Sequence, residues 1–249
     1  MYQPLEQFNI FILHELSLWG LGSLSLTNYW LVCGLLLALV LVFLVWPLTN
    51  TTFLTTNWTS MHEGLYSFLV KLFSQHVNNY HSLYYFPAIA TIFIIVLFAN
   101  LLGLMPYNFT ITSHIFTTLT LSLTMFIGTI VISLYYNKLN YFKFFVPKGI
   151  DNKPLKFFLV FIEIISYIIR PFSLAIRLFA NMLAGHTLLY ILNTFLVYVT
   201  SKKVFALFLL PMAIIFMVFM LEFAIAFIQA YVFTTLLVIY INDIYNVSH

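Results

Sequence analysis

The feature that most constrains this chain is a series of long apolar runs without charge. Residues 28–48, 84–105 and 115–136 contain no Asp, Glu, Lys or Arg. Each run is about 20 residues long, which is the length at which an α-helix crosses a hydrocarbon core of about 30 Å. Because 63% of the 249 residues are hydrophobic and only 7% are charged, the composition excludes an ordinary soluble domain. The sequence therefore predicts an all-α integral membrane protein.

The spacing of apolar and polar residues divides the chain into six segments. The predicted segments are an N-terminal segment at 1–27, a first transmembrane helix at 28–48, an amphipathic surface helix at 59–77, a transmembrane hairpin at 84–136, a basic loop at 137–154 and a long helical region at 155–245. Lysines outnumber the single acid, Asp151, in the basic loop, so the positive-inside rule predicts that it faces the cytoplasm or the mitochondrial matrix.

The long helical region holds two stretches, 155–200 and 204–245. Each has roughly 40 residues, enough for about 60 Å of helix, twice the thickness of the hydrocarbon core. Each stretch therefore contains either two short helices or one long helix that lies steeply tilted in the membrane.

Several classes of function are excluded by what the sequence contains. Cys33 is the single cysteine, so no disulfide framework or cysteine-rich metal site is expected. The ten basic residues are scattered and form no basic face, which argues against nucleic-acid binding. No glycine-rich GxxxxGK[ST] loop is present, so we expect no nucleotide site. We also expect no bound cofactor.

Charged residues inside the apolar runs are informative because an ion in hydrocarbon is costly. Glu163, Arg170 and Arg177 are spaced by seven residues, which places them along one stripe of a helix, and Asn181 continues it. Arg177 has no acidic residue three or four positions away on either side, so it needs a partner from elsewhere. Structural ion pairs within a helical bundle are the alternative, and for Arg170 both interpretations stay open.

A second group of polar residues lies further along the same region. His186 is nine residues beyond Arg177 and therefore on the opposite helix face, whereas Glu222 and Gln229 share one stripe of the last stretch. A histidine and a carboxylate can titrate near neutral pH and hand protons along a wet cleft, although a lone histidine is more often a packed residue. Asp243 is either a terminal surface acid or a vestibule acid.

Three motifs carry a family resemblance. They are RPFSLAIRLFANMLAGH at 170–186, LEFAIAFIQAYVF at 221–233 and NLLGLMPY at 100–107. Together they resemble subunit a of F-type ATP synthases, in its mitochondrial form, from about Tyr85 onward. The two C-terminal motifs are specific in combination, whereas the first 80 residues match less clearly.

The resemblance implies a role for each of these polar residues. Arg177 corresponds to the essential arginine that faces a carboxylate of the rotor ring, with Asn181 and Gln229 as polar neighbours. His186 and Glu222 correspond to the pair that lines the proton inlet. Glu163 and Asp243 correspond to the acids of the matrix-side half-channel.

The resemblance also implies an assembly. The expected partners are a ring of c subunits, the peripheral stalk, other membrane-sector subunits and the lipid bilayer of the mitochondrial inner membrane. The N-terminal segment would face the intermembrane space, and the long helical region would be a tilted hairpin against the ring. Protons would be the transported ion, and ATP chemistry would belong to other subunits. The alternatives are a secondary transporter that binds an anion at Arg177 and a purely structural membrane subunit.

Overall fold

The computed structural model of the chain describes residues 8–18, 22–49, 57–77, 84–105, 108–138, 153–201 and 209–246. Most of the predicted basic loop, at 139–152, lies outside these residues. So do the first seven residues of the N-terminal segment and the last two residues of the motif at 100–107.

Helices make up most of the described chain. They are α1 (Asn28–Thr49), α2 (Asn57–His76), α3 (Phe86–Gly103), α4 (Ile115–Asn137), α5 (Lys153–Ser201) and α6 (Leu209–Asn246), with a single 3₁₀ turn at Ile111–Ser113 between α3 and α4. Five of these helices, all except α2, are long and apolar enough to cross a membrane. The predicted all-α integral membrane class is therefore confirmed, and the chain is a multi-pass membrane protein.

The two long C-terminal stretches are each one continuous helix. The 49 residues of α5 and the 38 residues of α6 correspond to about 74 Å and about 57 Å at 1.5 Å per residue. Pro171 lies inside α5 without ending it. Both helices are longer than a helix that crosses the hydrocarbon core along its normal.

A short antiparallel hairpin precedes α1, and the sequence analysis did not predict it. Strands β1 (Ile12–Leu18) and β2 (Gly22–Thr27) pair with Leu18 opposite Gly22, and the register is irregular between Ile12 and His14. Leu13 and Leu26 of the hairpin are exposed. The chain passes directly from β2 into α1 at Asn28.

The chain forms two compact units, which α3, α5 and α6 both enter. The first contains residues 1–50, 94–117 and 178–230, and the second contains residues 51–93, 118–177 and 231–249. In the first unit Leu104, Met182 and Ala226 form a buried cluster. Ala226 is completely buried, so α6 packs closely against its neighbours at this point.

Small hydroxyl residues form the buried face of α4 in the second unit. Thr118, Ser122, Thr129 and Ser133 are each at most 4% exposed. Two of the intervals between them are four residues, the small-xxx-small spacing that lets membrane helices approach closely. In the same unit α2 lies against the start of α3. The rings of Tyr66 and Phe73 each meet the Phe86 ring edge-on, with the ring centres 5.6 Å apart.

Much of the surface of α5 and α6 is not covered by the chain itself. The buried share of the spanning stretch is 56% in α3 but only 17% in α5 and in α6. Their exposed side chains are mostly large and apolar, as in Ile176, Phe216 and Met217. Such a surface is suited to lipid or to another membrane protein.

Candidate functional site

Two groups of polar side chains lie in the membrane helices, one in each compact unit. The first surrounds Glu222 of α6, which is only 7% exposed. Its carboxyl group lies directly against Gly185 of α5, since a Cβ added at Gly185 would be 2.7 Å from Oε1 and 2.8 Å from Cδ of Glu222. Contact this close is possible only because position 185 has no side chain.

His186 follows Gly185 on α5 and faces the end of α3. Its Nε2 would be 4.0 Å from a Cβ added at Gly103, which in turn lies against Thr110 of the loop after α3. Gly185 therefore allows the close approach of Glu222, whereas the tight neighbour of Gly103 is the Thr110 side chain, 3.3 Å from an added Cβ, and His186 lies at ordinary contact distance.

Several buried polar atoms of the first unit have no hydrogen-bond partner among the described residues. Among the described residues, both carboxyl oxygens of Glu222, Nε2 of His186, Nε2 of Gln229 and Oδ1 of Asn100 are buried and make no hydrogen bond of normal geometry. Asn100 donates a hydrogen bond of 3.4 Å to the carbonyl of Ala226, which links α3 to α6. Because buried polar atoms are rarely left unpaired, these side chains are suited to binding water molecules or to exchanging protons.

The second group of polar residues lies along the N-terminal half of α5. Ser166, Arg170, Ser173 and Arg177 line an open groove of about 810 Å³, whose other walls are apolar residues of α5 and Leu236 of α6. Of the predicted polar stripe, Arg170 and Arg177 thus line one groove, whereas Asn181 belongs to the first unit. Glu163, one turn before Ser166, is half-buried and is not among the residues that line the groove.

The two arginines of the groove have different surroundings. The guanidinium of Arg170 lies 5.9 Å from the centre of the Tyr240 ring, at the distance of a cation–π contact. Arg177 is exposed. No acidic oxygen of the described residues lies within 4.0 Å of its guanidinium.

The residues named from the sequence are therefore divided between the two units. His186, Glu222, Gln229 and the half-buried Asn181 belong to the first, and Glu163, Arg170, Arg177 and Asp243 to the second. Within the first unit, Gly185 brings Glu222 next to the backbone beside His186. Within the second, the Arg170 guanidinium lies against the Tyr240 ring.

Sequence reasoning missed two residues that shape the first group, Asn100 and Gly185. A signal was available for Asn100, because it is a polar residue inside an uncharged apolar run. The importance of Gly185 depends on the position of Glu222, 37 residues later, and no local pattern reveals it.

The chemistry available to these groups is proton transfer and electrostatics. A carboxyl group and an imidazole in a buried polar pocket can accept and release protons, whereas a guanidinium stays charged and cannot pass a proton on. Among the described residues no group of three or more His, Cys, Asp or Glu side chains is arranged to hold a metal ion.

Comparisons with known proteins identify the family to which the chain belongs. A sequence profile described as "ATP synthase A chain" matches residues 29–242. ATP synthase subunit a of Acanthamoeba castellanii is 46% identical over the full length of both chains. The subunit a proteins of Chondrus crispus and Rhodospirillum rubrum are each 38% identical, covering 97% and 99% of this chain and 95% and 99% of their own length.

Proposed function

This chain belongs to the ATP synthase subunit a family and is a subunit of the membrane sector of an F-type ATP synthase, and we propose that it forms the stator proton path. Protons reach and leave carboxylates on a rotating ring of c subunits through two offset half-channels. Arg177 separates the half-channels, and the resulting rotation drives ATP synthesis in other subunits. This chain contributes the proton path and no nucleotide chemistry.

The observation that supports this proposal most strongly is the environment of the Arg177 guanidinium. Its guanidinium is exposed on a helix whose neighbouring side chains, such as Ile176, are exposed and apolar. Lipid is a poor environment for a permanent charge, and no acid of the described residues is within 4.0 Å of it. A carboxylate presented by another subunit satisfies this charge, and a moving ring supplies one carboxylate after another.

The energy of such a pair is large enough to control protonation. Two opposite charges about 4 Å apart at an effective dielectric constant near 20 attract by about 4 kcal/mol. A protonated ring carboxyl that reaches Arg177 is therefore driven to release its proton. The guanidinium cannot pick that proton up, so it blocks a direct leak between the half-channels.

The inlet half-channel, in this proposal, is the pocket of His186 and Glu222, with Asn181 and Gln229 as polar neighbours toward the ring. Support comes from buried polar atoms of Glu222, His186 and Gln229 that make no hydrogen bond with the described residues. Water in such a pocket would connect the two titratable side chains for stepwise proton transfer.

The exit half-channel is formed by Glu163 and Asp243. Support comes from their membership of the second unit, which also contains the groove lined by Arg170 and Arg177. We assign Arg170 a positioning role here, because its guanidinium contacts the Tyr240 ring. The driving force is about 2.3 kcal/mol per charge for each 100 mV across the membrane, plus the pH difference.

The setting that we propose is the mitochondrial inner membrane, with the N-terminal segment toward the intermembrane space and the tilted α5–α6 hairpin against the ring. The peripheral stalk and other membrane-sector subunits hold the chain in place. Relatives from an amoeba and a red alga support this location, while the bacterial relative shows that the family also works in other membranes.

The test is Arg177→Ala in the complete complex, reconstituted in lipid vesicles. We expect ATP synthesis driven by an imposed proton gradient to be abolished, while native gels show normal assembly. Ser173→Ala is the matched control, because Ser173 lines the same groove without a charge. Normal gradient-driven synthesis in Arg177→Ala would refute the proposed role.

A further inference from the structure

An exposed apolar segment leads into the hairpin that precedes α1. Its four adjacent residues are each between 53% and 60% exposed: Ile10, Phe11, Ile12 and Leu13. No Asp, Glu, Lys or Arg occurs in residues 8–14. Because a run of exposed apolar side chains is rare on a surface that meets water, this segment needs a covering partner.

The apolar segment is fastened to Asn28, the first residue of α1. The Asn28 side-chain amide donates to the carbonyl of Asn9 at 3.1 Å, and its Oδ1 accepts from the backbone N–H of Phe11 at 3.1 Å. The backbone N–H of Asn28 also donates to the carbonyl of Phe11, at 3.1 Å. Residues 9–11 therefore lie beside the first turn of α1.

The surface of α1 next to this segment is itself apolar and uncovered. The helix is long and apolar enough to cross a membrane, and only 11% of its spanning stretch is buried. Trp30 and Leu31 of its first turn are 63% and 61% exposed, and tryptophan is typical of the boundary between lipid and water. The apolar segment thus continues a surface that lies in the membrane.

The hydrogen bonds of Asn28 also remove the main obstacle to placing an extended segment in lipid. Backbone N–H and C=O groups without partners are strongly disfavoured in a nonpolar environment. Asn28 pairs both backbone polar groups of Phe11 and the carbonyl of Asn9. A protein partner can supply such bonds itself, whereas lipid tails cannot. Pairing within the chain therefore favours lipid as the covering partner.

We propose that residues 10–13 are a lipid anchor: their side chains insert among the phospholipids at the membrane surface where α1 begins, and Asn28 holds their backbone in place. The anchor fixes the N-terminal segment and the start of α1 at this surface. It goes beyond the proton path proposed above and does not depend on it.

Phe8, two residues before the anchor, has the opposite environment. It is only 9% exposed, and its ring meets the His186 ring edge-on with the ring centres 6.4 Å apart. The same short stretch of chain therefore contains an aromatic ring that faces protein, in Phe8, and one that faces lipid in this proposal, in Phe11. The two rings provide a comparison within one sample.

The experiment labels the complete complex in phosphatidylcholine vesicles that contain a small fraction of phosphatidylcholine with a photoactivatable diazirine close to its headgroup. After illumination, mass spectrometry locates the lipid adducts in this chain. We expect adducts on residues 10–13 at a yield similar to that of Leu31, and a several-fold lower yield on Phe8, in line with its burial. Adducts on Leu31 without adducts on residues 10–13 would overturn the proposal, because water or another subunit would then cover the segment.

Asn28→Ala tests the part of the proposal that concerns the backbone. This change removes both side-chain hydrogen bonds to residues 9–11. We expect the adduct yield on residues 10–13, measured relative to Leu31, to fall about fivefold or more, the population change that follows the loss of one hydrogen bond. An unchanged yield would overturn the role of Asn28.

Asn108→Ala is the matched control, because Asn108 makes the same two kinds of bond in the loop after α3. Its amide donates to the carbonyl of Leu102 at 2.9 Å, and its Oδ1 accepts from the N–H of Phe109 at 3.0 Å. It should leave the relative yield on residues 10–13 unchanged. An equal fall in Asn108→Ala would contradict a specific role for Asn28.

Discussion

Gly185 offers the sharpest test of the proton inlet that we propose around Glu222. The Glu222 carboxyl group occupies the space where a side chain at position 185 would begin. We expect Gly185→Ala to leave the complex folded but to lower proton flux roughly tenfold or more, because misplacing a reacting group by about 1 Å has effects of this size.

The magnitude follows from the contact distances. A Cβ at position 185 would be 2.7 Å from Oε1 and 3.1 Å from Cγ of Glu222, whereas ordinary contact begins at 3.4 Å. The carboxyl oxygen must therefore move by about 0.7 Å. A flexible side chain can make this movement, and Ala is favoured over Gly within a helix by about 1 kcal/mol, so the substitution should displace Glu222 without unfolding α5.

The assay compares proton flux and thermal stability of the reconstituted complex for Gly185→Ala and Gly128→Ala. Gly128 of α4 is the control because nothing lies within 4 Å of a Cβ added there, so this change alters helix propensity alone. Equal flux in the two variants would refute the reasoning, since it would mean that the position of the Glu222 carboxyl does not limit proton transfer.

Three further predictions concern the same unit. Glu222→Gln should slow proton flux in the same vesicle assay, because it removes a titratable group. A double variant that exchanges Glu222 and His186 should restore part of the flux. Unchanged flux in Glu222→Gln would exclude this residue from the proton path. Asn100→Ala should lower the free energy of unfolding by about 1–2 kcal/mol, because a buried donor to the Ala226 carbonyl is lost, and thermal unfolding in detergent measures this. Burial lowers the pKa of His114 from its ordinary value of 6.5, so the folded chain binds fewer protons there than the unfolded chain. This contribution to stability is complete above about pH 6.5 and is lost as the pH falls through the lowered pKa; His114→Gln should flatten this part of the curve of unfolding temperature against pH.

The structural class of the protein could be predicted from the sequence because the membrane interior restricts each segment of the chain independently of the others. Every backbone polar group in the membrane must be paired within the helix, so an uncharged run such as 28–48 predicts a spanning helix without reference to the rest of the chain. The same rule made Arg177 and Glu222 conspicuous, since each is a charged residue in an apolar run. Family motifs then supplied the roles that we propose for them.

The continuity of α5 and α6 was beyond the reach of periodicity. A helix that contains Pro171 reads equally well as two short helices or as one long one, because the choice depends on what covers the region around the proline. In the structure α5 continues through Pro171. The hairpin before α1 also went unpredicted, since its pairing with Leu18 opposite Gly22 joins short segments that carry no strong pattern.

The sequence alone thus showed that this protein lies in a lipid membrane, that it is helical and which few charged residues lie in its apolar runs. Each of these properties depends on residues that are close together in the chain. Tertiary structure decided which residues meet. Gly185 and Glu222 are 37 residues apart, and Phe8 and His186 are 178 residues apart. Their contacts arise only when packing brings separate helices and the N-terminal segment together, and no local pattern encodes that packing.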